Sequence, residues 1–121
     1  MTTQVIPRTE WREFADGFSR SHLGWLVSLT VNQPAGQPQY LVRDVPFEGM
    51  TVDEQHGHDE VVFVMNGKEH FVHTVPWPRR IVLHRTAEGA DESVNVLDCD
   101  SMETTVRFHT PAQPLLVDGV A

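Results

Sequence analysis

The chain has 121 residues, 17 acids against 9 bases, a net charge of −8 and 40% hydrophobic residues. That length suits one domain with its own core. The mix is that of a globular protein rather than a disordered one, and the acidic balance disfavours nucleic acid and anionic membranes as partners.

Cys99 is the only cysteine, so no intrachain disulfide can form, which fits a reducing compartment. The opening MTTQVIPRTEW lacks the pattern of a secretory signal, and no apolar run approaches the length of a membrane span. The expected location is the cytoplasm.

Residues 1–8 read as an N-terminal lead, 9–110 as a β-rich domain with an N-terminal helix, and 111–121 as a C-terminal tail. The predicted helix is TEWREFADGFSRSH. Trp11, Phe14, Ala15, Phe18 and His22 recur at helical spacing and make one core-facing stripe. Thr9 is placed to cap its start and Gly24 to stop it. From Gly24 the period changes to two, and GWLVSLTVN puts Trp25, Val27, Leu29 and Val31 on one face.

NQPAGQPQ reads as a loop, YLVRDVPF as a strand ending near Pro46, and EGMTVDEQHGHD as a loop or bulged crossing. EVVFVM is apolar throughout, as a central strand is. Asn66-Gly67 is the clearest hairpin signal, returning into EHFVHTV. PWPR reads as a further hairpin turn into RIVLHRT, followed by AEGAD, ESVNVL, DCDSM and ETTVRFH. About seven strands joined by tight turns after one helix predict a mainly β (α+β) antiparallel meander, a bent sheet or small barrel.

HGHDEVVFVMNGKEHFVH holds four of the seven histidines. If PWPR centres a hairpin, Phe71, His73, Val75, Val82 and His84 share one face, and Val72, Thr74, Ile81 and Leu83 form the better core face. His73 and His84 would then lie about 7 Å apart across the pair. On this reading they belong to a half-exposed polar face. A mononuclear metal site needs three or four convergent ligands, which His56, Glu60 and His84 could supply. The second cluster is Trp77, Arg79 and Arg80 at the stiff Pro76-x-Pro78 corner, with Glu88, Asp91 and Glu92 at the next turn. The arginines could tie adjacent turns together, or act as an anion clamp with Trp77 as a stacking wall.

Two resemblances accompany these residues. Glu60, six residues and then Gly67, with His56 upstream, resemble part of the first motif of the cupins. That implies a divalent-metal β-barrel, though Glu54 stands at the first histidine position and the second motif is absent. More of the chain resembles a family of small uncharacterised bacterial proteins carried as a domain of unknown function. The matching features are Trp11, Phe14, Phe18 and Ser19, then Gly24-Trp25, then His73-Thr74. Pro76-x-Pro78-Arg79-Arg80, Thr86-x-Glu88-Gly89-Ala90-Asp91-Glu92 and TTVRF follow. This resemblance implies no activity, cofactor or catalytic residue.

The expectation is a non-catalytic cytoplasmic binding or interaction module. It would take an unknown protein or a small anionic ligand through Trp77, Arg79 and Arg80, with no cofactor. The alternatives are a cupin-like metal barrel using His56, Glu60 and His84, and a structural homo-oligomeric subunit in which Pro114–Val117 adds a strand to a neighbour.

Overall fold

The computed structural model describes residues 2–55 and 57–112. Eight strands form one antiparallel sheet: β1 (Thr2–Ile6), β2 (Leu26–Asn32), β3 (Gln39–Gln55), β4 (His58–Asn66), β5 (His70–Pro76), β6 (Pro78–Arg85), β7 (Asp91–Asp98) and β8 (Glu103–Ala112). The spatial order is β1-β6-β7-β8-β2-β3-β4-β5. β1 and β5 are its two edges, so the expected mainly β meander is a bent sheet and not a closed barrel. No helix among the described residues is long and apolar enough to cross a membrane.

One helix, α1 (Trp11–His22), packs on β3; of its predicted stripe Trp11, Ala15, Phe18 and His22 are buried and Phe14 is partly buried against the core. Phe18 meets Phe47 edge-on at 5.6 Å and lies 5.8 Å from Phe108, closing the concave side of the sheet. Thr9 does not cap the helix. A 3-10 turn (Arg8–Glu10) precedes it, and the Glu10 amide bonds the Pro7 carbonyl at 2.8 Å, so backbone takes the place of the side-chain cap. The chain leaves α1 through Gly24 at φ 83°.

The core lies between this helix and the inner faces of the strands, with Val27, Leu29, Phe47, Met50, Phe63, Val94, Val96 and Val106 among its buried members. In the second half of β7, Val94 and Val96 are buried and alternate with the half-buried Asn95 and Leu97, which matches the alternation in its sequence.

Three expectations need correction. The strand expected to end near Pro46 does not: β3 runs unbroken through Pro46 and Gly49 to Gln55, so of the two readings of EGMTVDEQ the bulged crossing holds and the loop does not. It pairs with β2 up to Pro46, then with β4 from Phe47, with an irregularity between Phe47 and Gly49. Pro46 is tolerated because the β4 ladder begins only at Phe47↔Met65, so its missing N–H is not needed there. The bulge bends the strand, which turns one half of the sheet over the other.

PWPR is not a hairpin turn. β5 pairs with β4, β6 pairs with β1 and β7, and the corner carries the chain from one edge region of the sheet to the other. His73 therefore lies opposite Phe63, not Val82. The inner face of β5 is Phe71, His73 and Val75, while Val72 and Thr74 are exposed. On β6 the expected core residues Ile81 and Leu83 are buried.

The N-terminal lead contains β1, which adds to the edge of β6 with Thr3 opposite His84 and Ile6 opposite Ile81. β8 extends past residue 110 to Ala112, into the segment read as tail. Pro114–Val117, the segment expected to reach a neighbour, lies outside the described residues.

Candidate functional site

Trp77 is the sole residue between β5 and β6, flanked by Pro76 and Pro78. Its φ is 52°, in the left-handed region that bulky residues avoid. Two backbone bonds hold it there: its amide donates to the Asp59 carbonyl at 3.2 Å, and its carbonyl accepts from the Cys99 amide at 3.1 Å. The first tie is to the start of β4 and the second to the β7–β8 turn. That turn is itself fixed by the Asp98 carboxylate, which accepts from the amides of Asp100 and Met102 at 2.9 and 3.0 Å.

The indole stacks on the His58 ring, with centroids 4.2 Å apart and planes 10° from parallel. His58 opens β4 directly after Gly57, whose φ of 85° suits glycine in the tight β3–β4 turn. The His58 side chain is largely buried, and its Nε2 lies 3.6 Å from a Glu60 carboxylate oxygen. Its Nδ1 is buried without a hydrogen-bond partner among the described residues.

An open cavity of about 420 Å³ adjoins this stack. Glu54, Gly57, His58 and Asp59 line it from the β3–β4 hairpin, Trp77, Pro78 and Arg79 from the corner, and Cys99 from the β7–β8 turn. Arg8 completes the wall. Its guanidinium donates to Asp59 Oδ2 at 2.8 Å and to the Pro78 carbonyl at 3.2 Å, and lies 4.4 Å over the Trp11 ring. The lining thus has two arginines and two carboxylates, of which Arg8 and Asp59 neutralise each other. Arg79 forms no ion pair among the described residues.

Of the sequence-predicted cluster, Trp77 and Arg79 come together and Arg80 does not. A bulge between Pro78 and Arg80 makes Arg79 the extra residue, and Arg80 lies opposite Leu97 in a second groove, on the outer face of β1, β6, β7 and β8. Neither arginine ties to the next turn. Asp91 bonds Arg85 and His22 instead, and Glu92 bonds Arg107.

For the expected metal set, His56 lies outside the described residues. Glu60 stands beside His58, whereas His84 lies in the second groove, where its Nδ1 is 3.3 Å from Thr3 Oγ1. Among the described residues no group of three or more His, Cys, Asp or Glu is arranged to hold a metal ion. His73 points inward, 3.5 Å from Thr104 Oγ1, and burial pushes its pKa below the ordinary histidine value.

Arg8, Asp59 and Cys99 were not singled out as site residues by sequence reasoning, and His58 was weighed only as a possible fourth metal ligand. Arg8 reaches the corner because β1 adds to β6, and Asp59 and Cys99 because the PWPR corner crosses between strand pairs. No local pattern encodes either event. His58 carried a signal as part of HGHDE, but as a histidine cluster and not as the backing of an aromatic stack.

No match to the chain was found among the curated proteins or the solved structures. A family model described as a family of unknown function, DUF5335, matches residues 2–115, in agreement with the resemblance read from the helix, corner and turn motifs. The chain belongs to that family.

Proposed function

We propose that this protein is a small cytoplasmic binding module, not an enzyme, whose recognition site is the Trp77 corner with Arg79 as the anion donor. The observation that carries this reading is the backbone of Trp77. A bulky residue at φ 52° is strained by about 1–3 kcal/mol, yet Trp77 is 54% exposed, so the strain is not offset by full burial of the indole. Strain held in place by two hydrogen bonds to distant segments, at a half-exposed aromatic beside an arginine with no ion pair among the described residues, fits a positioned recognition surface better than a packing residue. A guanidinium offers a carboxylate or phosphate a planar fork of donors. Glu54 and the Arg8–Asp59 pair keep the cavity from being an indiscriminate basic patch, so modest affinity and geometric selectivity are expected.

Two-dimensional amide NMR tests this. Titration with inorganic phosphate and with acetate should move the signals of Trp77, Arg79, Asp59 and Cys99, and Arg79→Ala should abolish those shifts while leaving the rest of the spectrum in place. No shifts at the corner, or shifts confined to the Arg80 groove, would overturn the proposal.

A further inference from the structure

The ligand class of this site follows from how its surfaces are arranged, an inference that rests on the corner being an anion site. Trp77 has one face stacked on His58, is still about half exposed, and lines the cavity. His58 is mostly buried and opens a strand. The indole is therefore backed by a fixed second ring and has little freedom to swing. The two flanking prolines stiffen the backbone that carries it. A rigid, backed aromatic wall is more than a bare anion needs, because an anion takes its affinity from Arg79 alone. It is what a flat, polarisable ring uses, as in base stacking on aromatic platforms.

Arg79 follows Trp77 by two residues and lines the same cavity, so wall and donor are held on one stiff segment. A space of about 420 Å³ is within the range of small-molecule sites and accommodates a ring with its substituents.

We infer that the Trp77 corner binds a planar aromatic or heteroaromatic ring carrying a carboxylate or phosphate, with the ring on Trp77 and the anion on Arg79. The two anion types share this chemistry, and the experiment separates them. Isothermal titration calorimetry of the whole chain would compare adenosine monophosphate and indole-3-acetate, each a ring with an anion, with adenosine and indole as rings alone and with phosphate and acetate as anions alone.

At least one ring-bearing anion should bind ten-fold or more tightly than its ring-only and anion-only counterparts. Trp77→Ala and Arg79→Ala should each weaken it at least ten-fold. Trp77→Phe, which keeps a ring, should retain most of the affinity, and melting curves should show all three variants folded. Phosphate or acetate binding as tightly as the ring-bearing probe, with no effect of Trp77→Ala, would overturn the stacking inference and leave the anion site standing. Adenosine binding as tightly as its monophosphate would overturn this inference and the anion reading together. Absence of binding by every probe would overturn both as well.

Discussion

His22 Nε2 lies 3.1 Å from Asp91 Oδ2, deep under the sheet, while His22 Nδ1 lies 2.7 Å from the Phe18 carbonyl. Both ring nitrogens lie within hydrogen-bond distance of oxygen acceptors. His22 is 2% exposed, and Asp91 also accepts from Arg85 Nε at 3.0 Å; Arg85 in turn donates to Gln4 at 3.0 Å. The chain Phe18–His22–Asp91–Arg85–Gln4 thus joins the helix, the β6–β7 hairpin and β1. Asp91→Asn replaces one acceptor oxygen by a donor and leaves a buried histidine or arginine proton unpaired. The expected loss is about 2–3 kcal/mol, read as a lower denaturation midpoint at unchanged m-value. A loss under about 0.5 kcal/mol would show the network to be dispensable.

The same pair sets one end of the pH profile. Burial pushes the Asp91 carboxyl up, but the hydrogen bonds and charges of His22 and Arg85 outweigh it and hold the group below its ordinary 3.8. A carboxyl depressed in the fold stabilises it above the unfolded value and loses that contribution as pH falls through the folded value. The stabilities of wild type and Asp91→Asn should therefore converge in acid, below about pH 4. His73, depressed from 6.5 by burial, acts in the same direction in a higher window. Its neutral form is favoured in the fold, so stability is full above pH 6.5 and declines as pH falls below it. Denaturation midpoints of wild type and His73→Gln, followed from pH 8 to 5, should differ in slope below the ordinary histidine value. Parallel profiles would remove His73 as a contributor.

Ser19 joins helix to sheet at the bend. Its hydroxyl accepts from the Met50 amide at 2.7 Å, and its proton is shared between the Ala15 and Met50 carbonyls, at 2.8 and 2.9 Å. It thereby replaces a ladder partner next to the β3 bulge. Ser19→Ala would strand the Met50 N–H and should cost about 1–3 kcal/mol, with faster hydrogen exchange at Met50 as the local signature. Unchanged exchange there would show that another acceptor takes over.

How far the sequence foretold this architecture depends on the range of the interaction concerned. The helix and the strand around Val27 were legible because a 3.6- or two-residue period is imposed locally by which face is buried, and the strand around Val61 because its run is apolar throughout. The Thr86-to-Asp91 turn was legible as a turn through Gly89, whose φ is 85°. Strand partnership was not legible at Trp77, because a tight Pro-rich turn joins paired strands in most meanders and here joins unpaired ones. That one difference inverted the buried face of β5, moved His73 inside, and separated His84 from the histidines before it. Continuity of β3 was hidden for a related reason. Pro46 and Gly49 are strand breakers by local rule, and only the offset between the β2 and β4 ladders makes room for both. The candidate site inherits these limits. Trp77 and Arg79 are two residues apart, so their proximity was legible, whereas Arg8, His58 and Cys99 arrive through three separate long-range pairings.

Gly67 offers a direct check on the packing of the β4–β5 hairpin. Asn66 and His70 pair across it, so the loop is Gly67–Glu69, not a two-residue turn on Asn66-Gly67. Gly67 is not among the glycines of positive φ, so conformational freedom does not explain it. Close approach does: a Cβ there would sit 2.9 Å from Val45 Cγ1 and 3.4 Å from Val45 Cβ. Valine is β-branched and cannot turn aside without leaving its rotamer, so the strand itself must shift. Gly67→Ala should cost about 1–3 kcal/mol. Val45→Ala removes the clashing methyl, so the double variant should be destabilised by less than the sum of the two single changes, by about 0.5 kcal/mol or more. Strict additivity in that cycle, measured by chemical denaturation, would mean that the hairpin does not rest on Val45.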